Sequence, residues 1–158
     1  MKITNVLHTL SYLRWFFLVW MVGLMLYIFI MTPANSVQLT GTVISLAGIM
    51  MGLASLSDIT RISEKEKKAL LKPNNVKRQL FFLFIGVAVL IAISTLFFSL
   101  RFIFPKAEQP FIKDFTKLGY DCLVMILGFL CLIKQFADQV TYAKDLVSKT
   151  EMKSSKTY

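Results

Sequence analysis

The residues of this chain equipped for chemistry are few, and their spacing speaks against most of it. Cys122 and Cys131 are the two cysteines, nine residues apart. On a helix that spacing puts them on opposite faces and about 13 Å apart, beyond disulfide reach. No C-x-x-C motif occurs, and His8 is the single histidine. A His/Cys metal set and a Ser-His-acid set therefore both lack parts. No glycine-rich phosphate loop appears either. His8 reads as a residue on the polar or flanking side of an amphipathic N-terminal segment and not as a ligand or proton relay. The expectation is a protein that is not an enzyme and holds no cofactor and no metal.

What remains is a set of charges beside long apolar runs and two stripes of small residues. Arg101 and Asp121 lie about one turn inside the ends of neighbouring apolar segments joined by a short loop, which predicts an ion pair between them. Lys134 and Asp138 stand at i, i+4, with Asp58 at the end of an earlier run, so Lys134 is expected to snorkel towards one or both carboxylates. The first stripe is Gly41, Ser45, Gly48, Gly52 and Ser55, and Gly48 with Gly52 forms a GxxxG pair. Small residues at such spacing let two membrane helices bring their backbones close. The second stripe is Ala88, Ala92, Thr95 and Ser99. Two seams in one chain predict that the second and third spans pack at the centre.

The elements that carry these residues are membrane spans. Residues 15–31, 37–57 and 80–100 contain no charged residue, and each is at or near the ~20 residues that cross the hydrocarbon core. The composition agrees: of 158 residues 56% are hydrophobic and 17% charged, with a mean hydropathy of +0.63. A fourth run has 12 uncharged residues between Asp121 and Lys134, about 18 Å of helix. It spans as residues 118–137 if the flanking charges sit at the two interfaces; a re-entrant segment is the alternative. The fold class expected is an all-α polytopic membrane protein of four helices in two hairpins. Its parts are an amphipathic segment 1–14, a first hairpin 15–58, a basic loop 59–78, a second hairpin 79–137 and a tail 138–158. The first span, crowded with Phe16, Phe17, Trp20, Tyr27 and Phe29, is expected at the periphery, uncleaved as a signal anchor. The second helix is expected to continue past Asp58 for several turns, aided by Glu64 and Lys68, until Pro73, Asn74 and Asn75 break it.

The net charge of +9 sits beside the spans and not on a soluble face, so it reads as a topology signal and not as a nucleic-acid footprint. With both ends inside, 14 Lys and Arg fall on the cytoplasmic side and four (Arg101, Lys106, Lys113 and Lys117) on the other. That favours N-in, C-in in a plasma (inner) membrane, with anionic lipids at the basic loop as partners. Each half then reads as helix, outer turn, helix and basic segment, and Gly48 and Gly128 each stand ten residues before an aspartate, at Asp58 and Asp138. Pro33-x-Asn35 leading to Gly41, with Lys117-Leu118-Gly119-Tyr120 at the matching place, resembles the YiaA/YiaB-type two-helix-repeat inner-membrane proteins. The exits at residues 57–61 and 137–141, SDITR and ADQVT, lack that family's Lys-x-x-Arg-Asp-like close, and the turn tryptophans are absent.

Two function classes follow. The chain is either an interaction or accessory membrane subunit that packs against a partner or its own copies, or a homo-oligomeric channel for small solutes lined by Ser45, Ser55, Thr95 and Ser99. The seams are mostly Gly and Ala where a pore would carry a polar stripe, which favours the first. Small exporters with a carboxylate deep in their first helix are a poor match, because the first three apolar runs contain no acid.

Overall fold

The computed structural model describes residues 12–32, 34–56, 63–104 and 109–155, with the side chains of 101, 109–110 and 150–155 outside the description. Within these residues the chain is helical: α1 Leu13–Met31, α2 Ser36–Ala54, α3 Glu64–Leu70, α4 Pro73–Ile103 and α5 Gln109–Ser155. α1, α2, α4 and α5 are each long and apolar enough to cross a membrane, which makes the chain a helical membrane bundle.

Local sequence explains the boundaries. α1 stops where Thr32 turns left-handed (φ 40°, ψ 54°) and its N–H closes on the Ile28 carbonyl, an αL cap that precedes a proline unable to donate. α2 ends at Ala54, with Ser55 and Leu56 in a turn. The expected continuation through the basic loop is therefore corrected: a separate helix starts afresh at Ser63, in a capping box. The Ser63 hydroxyl accepts from the Glu66 N–H at 3.3 Å, and the Ser63 N–H donates back to the Glu66 carboxylate at 2.9 Å. Lys67 pairs with Glu64 at 3.8 Å, one residue short of the Glu64–Lys68 spacing expected. α3 ends at Leu70, just ahead of Pro73 as expected, and Pro73 itself opens α4, which takes in Asn74 and Asn75. At the first position of a helix the proline's missing N–H leaves nothing unsatisfied, and its fixed φ is already helical.

α5 overturns the re-entrant alternative. Its 47 residues form one unbroken helix, about 70 Å long, more than enough to cross a bilayer. The tail is helical to Ser155. The N-terminal segment, including His8, lies outside the described residues.

The packing order is α1, α2, α5, α4. α1 packs on α2, α2 on α5 and α4 on α5, while α3 rests on α4 and α5. The predicted central pairing of the second and third spans is thereby corrected: among the described residues no Cα of α2 comes within 8 Å of α4. α1 has no buried residue, in keeping with its expected peripheral place.

The capping box carries a pH signature. Hydrogen bonds from the Ser63 hydroxyl and N–H hold the Glu66 carboxyl below its ordinary value of 4.5. A carboxyl depressed in the folded state stabilises above its unfolded pKa, and that contribution is lost as pH falls through the folded one. Protection of the residue 63–71 amides, taken relative to their intrinsic exchange rates, should therefore fall as pH drops below about 4.5. Ser63→Ala should cost this helix about 1 kcal/mol at neutral pH and abolish the pH step; a step that survives in the variant would refute the assignment.

Candidate functional site

The site with the densest polar and steric demands is the seam between α2 and α5. Gln38 Nε2 donates to Asp114 Oδ1 at 2.9 Å, and Ser45 Oγ donates to Asp121 Oδ1 at 2.5 Å. Both pairs are 76 residues apart in the chain, so the two helices run parallel. Between these bonds Gly41 is buried beneath the Asp121 carboxylate, where a Cβ would fall on Oδ2 and lie 3.3 Å from Leu118. Further along, a Cβ on Gly48 would stand 2.6 Å from the Val124 carbonyl oxygen and 2.7 Å from the Met125 Cα. A Cβ on Gly128 would in turn meet the Gly48 backbone, 2.9 Å from its Cα. Glycine is required at both positions because only bare backbone fits.

Chemically the seam holds helices together. A serine hydroxyl bonded to a carboxylate, walled by glycines, lacks the third group that would make a nucleophile of it. Asp121 Oδ2 is buried with no hydrogen-bond partner among the described residues. Cys122, next in the chain, is 1% exposed, whereas Cys131 is exposed. Both thiols are free, on the opposite faces that their spacing requires. Among the described residues no three His, Cys, Asp or Glu side chains gather as a metal site would need.

α4 is fixed to the other side of α5 by a different device, rings set on glycines. Phe98 lies 3.2 Å from where a Gly119 Cβ would be, and Phe129 lies 3.1 Å from the corresponding point on Gly86. The buried Ser94 hydroxyl donates to the Gly119 carbonyl at 3.0 Å. Phe98 and Tyr120 stack edge to face at 5.1 Å, and Phe97 meets Phe115 at 5.6 Å.

The sequence-predicted residues divide accordingly. Gly41, Ser45 and Gly48 are in the seam, but their partner is α5 and not Ala88 and Ala92. Gly52 faces open space, with nothing within 4 Å of a Cβ placed there. Ser55 bonds its own helix, donating to the Gly52 carbonyl at 2.6 Å. Ala88, Ala92 and Thr95 are exposed and Ser99 half-buried, on a flank of α4 turned from α5. Asp121 meets Ser45, and the side chain of Arg101, its predicted partner, is outside the description. Lys134 and Asp138 are both exposed and form no ion pair with each other among the described residues. Asp58 lies outside the described residues. Gln38, Asp114, Ser94 and Gly119 were missed. The stripe of Gly41, Ser45 and Gly48 signalled a packing face, and the signal for its partner was the shared ten-residue spacing of Gly48 and Gly128 to an aspartate, which matches two residues that prove to touch.

Compared with known proteins, the chain matches no family model, no curated protein and no solved structure, so its function is argued from its own residues.

Two expectations test the seam. Gly48→Ala should destabilise the monomer by about 2 kcal/mol, because α5 backbone must move. Gly52→Ala should stay within about 0.5 kcal/mol of the parent. Equal thermal shifts for the two would discard the close approach. Gly41→Ala should likewise destabilise, and the double variant Gly41→Ala with Asp121→Ala should recover part of the loss, because the clash disappears with the carboxylate. Strictly additive losses in denaturant titrations would show that Gly41 and Asp121 do not meet.

Proposed function

We propose that this chain is an interaction or accessory subunit of a membrane assembly, and that the flank of α4 bearing Ala88, Ala92, Thr95 and Ser99 is where a partner helix or a second copy packs. The carrying observation is that this small-residue seam has no partner among the described residues: α5 takes the opposite flank of α4, and α2 does not reach it. In lipid, small residues favour helix association because they let backbones approach and gain dispersion contacts that bulky side chains prevent. The topology proposed is two hairpins, N-in and C-in, multi-pass in the plasma (inner) membrane. Its supports are the asymmetry of Lys and Arg and the parallel run of α2 and α5, which two consecutive hairpins of like orientation require. The loop motifs shared with the YiaA/YiaB type agree with such a repeat. The basic loop faces anionic lipid in this arrangement.

The channel reading finds less support in the bonding of its hydroxyls. Ser45 is committed to Asp121, Thr95 donates to the Ile91 carbonyl at 2.8 Å and Ser99 to the Leu96 carbonyl at 2.9 Å. A pore lining needs such groups turned to water and ions.

Ala88→Leu with Ala92→Leu should leave a folded monomer of unchanged thermal stability while removing any larger species on size exclusion, or lowering recovery of a co-purifying membrane partner. An assembly that survives the double substitution would reject α4 as the docking flank, and conductance by the purified protein in planar bilayers would reject the accessory role itself.

A further inference from the structure

We propose that the groove between α4 and α5 at the basic end of the bundle binds an anionic phospholipid, one acyl chain between the helices and the phosphate at Arg78, and that a second groove between α1 and α2 does the same at Arg14. The inference deepens the lipid-facing part of the proposed function and rests on it only for the presence of a membrane.

The first groove has a volume of about 400 Å³, within the range of small-molecule sites. Its floor and walls are Phe82 and Leu83 of α4 with Leu132, Gln135 and Phe136 of α5, and Gln79 and Gln139 stand at its outer end. Gln79 immediately precedes the uncharged run 80–100, and Gln139 comes just after the apolar stretch 118–137, so the amides lie at headgroup level and the rings below them. Arg78 is exposed and one turn before Phe82 on the same face of α4, with Lys77 beside it. Among the described residues neither cation has a carboxylate in ion-pair range. An apolar slot opening on uncompensated positive charge complements a lipid phosphate, which guanidinium groups bind with paired hydrogen bonds.

The second groove repeats the arrangement. It measures about 290 Å³ and is lined by Arg14, Trp15 and Leu18 of α1 with Met50 and Ala54 of α2, and Leu132 forms a wall here too. The Arg14 guanidinium carbon lies 5.5 Å from the centre of the Trp15 ring, so a cation and an interfacial aromatic mark the mouth at the same end of the bundle. A partner helix is the weaker occupant, because the lined stretch of α5, residues 132–139, runs about 10 Å, less than two turns. An acyl chain needs no longer contact and no hydrogen bonds.

Native mass spectrometry of the full chain in neutral detergent tests this, with phosphatidylglycerol or phosphatidylcholine of the same acyl chains added. The expected result is retention of up to two phosphatidylglycerol molecules with about tenfold preference over phosphatidylcholine. Arg78→Gln should remove one of them, and Leu132→Trp, which fills the shared wall, should remove both. Leu83→Trp blocks the α4/α5 groove alone and serves if Leu132→Trp fails to fold. Neutralising Lys65, Lys67 and Lys68 to Gln should leave retention unchanged, which separates a built site from general attraction to the basic loop. Equal retention of the two lipids, or undiminished binding by Arg78→Gln and Leu83→Trp, would overturn the proposal. So would a groove variant that shrinks an oligomer without affecting lipid, which would make the groove a contact between copies. Binding in detergent is independent of which membrane face the basic end occupies and of the α4 seam, so those readings fail or stand separately.

Discussion

The bundle depends on one approach of backbone to backbone, where α2 and α5 cross at Gly48 and Gly128. Lipid tails are as apolar as leucine, so burying side chains between helices gains little over leaving them in the bilayer. Close contact has to supply the attraction through dispersion, which falls off steeply with a gap of even half an ångström. Two glycines facing each other remove that gap. Once α2 and α5 are joined, α1 has one helix to lie against and α4 another.

Polar groups then fix the register that a smooth glycine contact leaves free. Gln38 on Asp114 and Ser45 on Asp121 are separated by two turns of α2, so the two bonds together admit one axial position of the helices. The second interface uses shape in place of bare backbone: Phe98 and Phe129 fill the hollows left by Gly119 and Gly86, and Ser94 adds a buried bond to a main-chain carbonyl. The other hydroxyls of the spans mostly return to their own helices, a common solution where no water is present to satisfy them.

The contacts among the described residues use one small-residue seam and leave another exposed, together with two apolar grooves, one of them lined by Arg14. In lipid, a small-residue flank and an apolar groove are surfaces on which a helix or an acyl chain can pack closely. Asp121 contributes to the clamp between α2 and α5 through Oδ1, which accepts from Ser45, while Gly41 lies beneath its carboxylate.

Element types were legible from the sequence because crossing a bilayer imposes a local rule: about 20 apolar residues in a row, whatever their neighbours. Residues 15–31, 37–57 and 80–100 obey it, and the peripheral place of the aromatic first span followed from the same residues. Partners were not legible. The spacing of Gly41, Ser45 and Gly48 announces a face prepared for contact, but a small-residue seam fits any other small-residue surface. Ala88 and Ala92 looked as suitable as Gly128. The tertiary structure decided between them by bringing α5 alongside α2 in parallel, and so made Asp121 the acceptor for Ser45. The capping box at Ser63 went unread in the sequence, and the proline ahead of the third span was read only as a break although it also opens α4, since a proline serves either purpose and only the position of the hydrogen bonds on each side tells which.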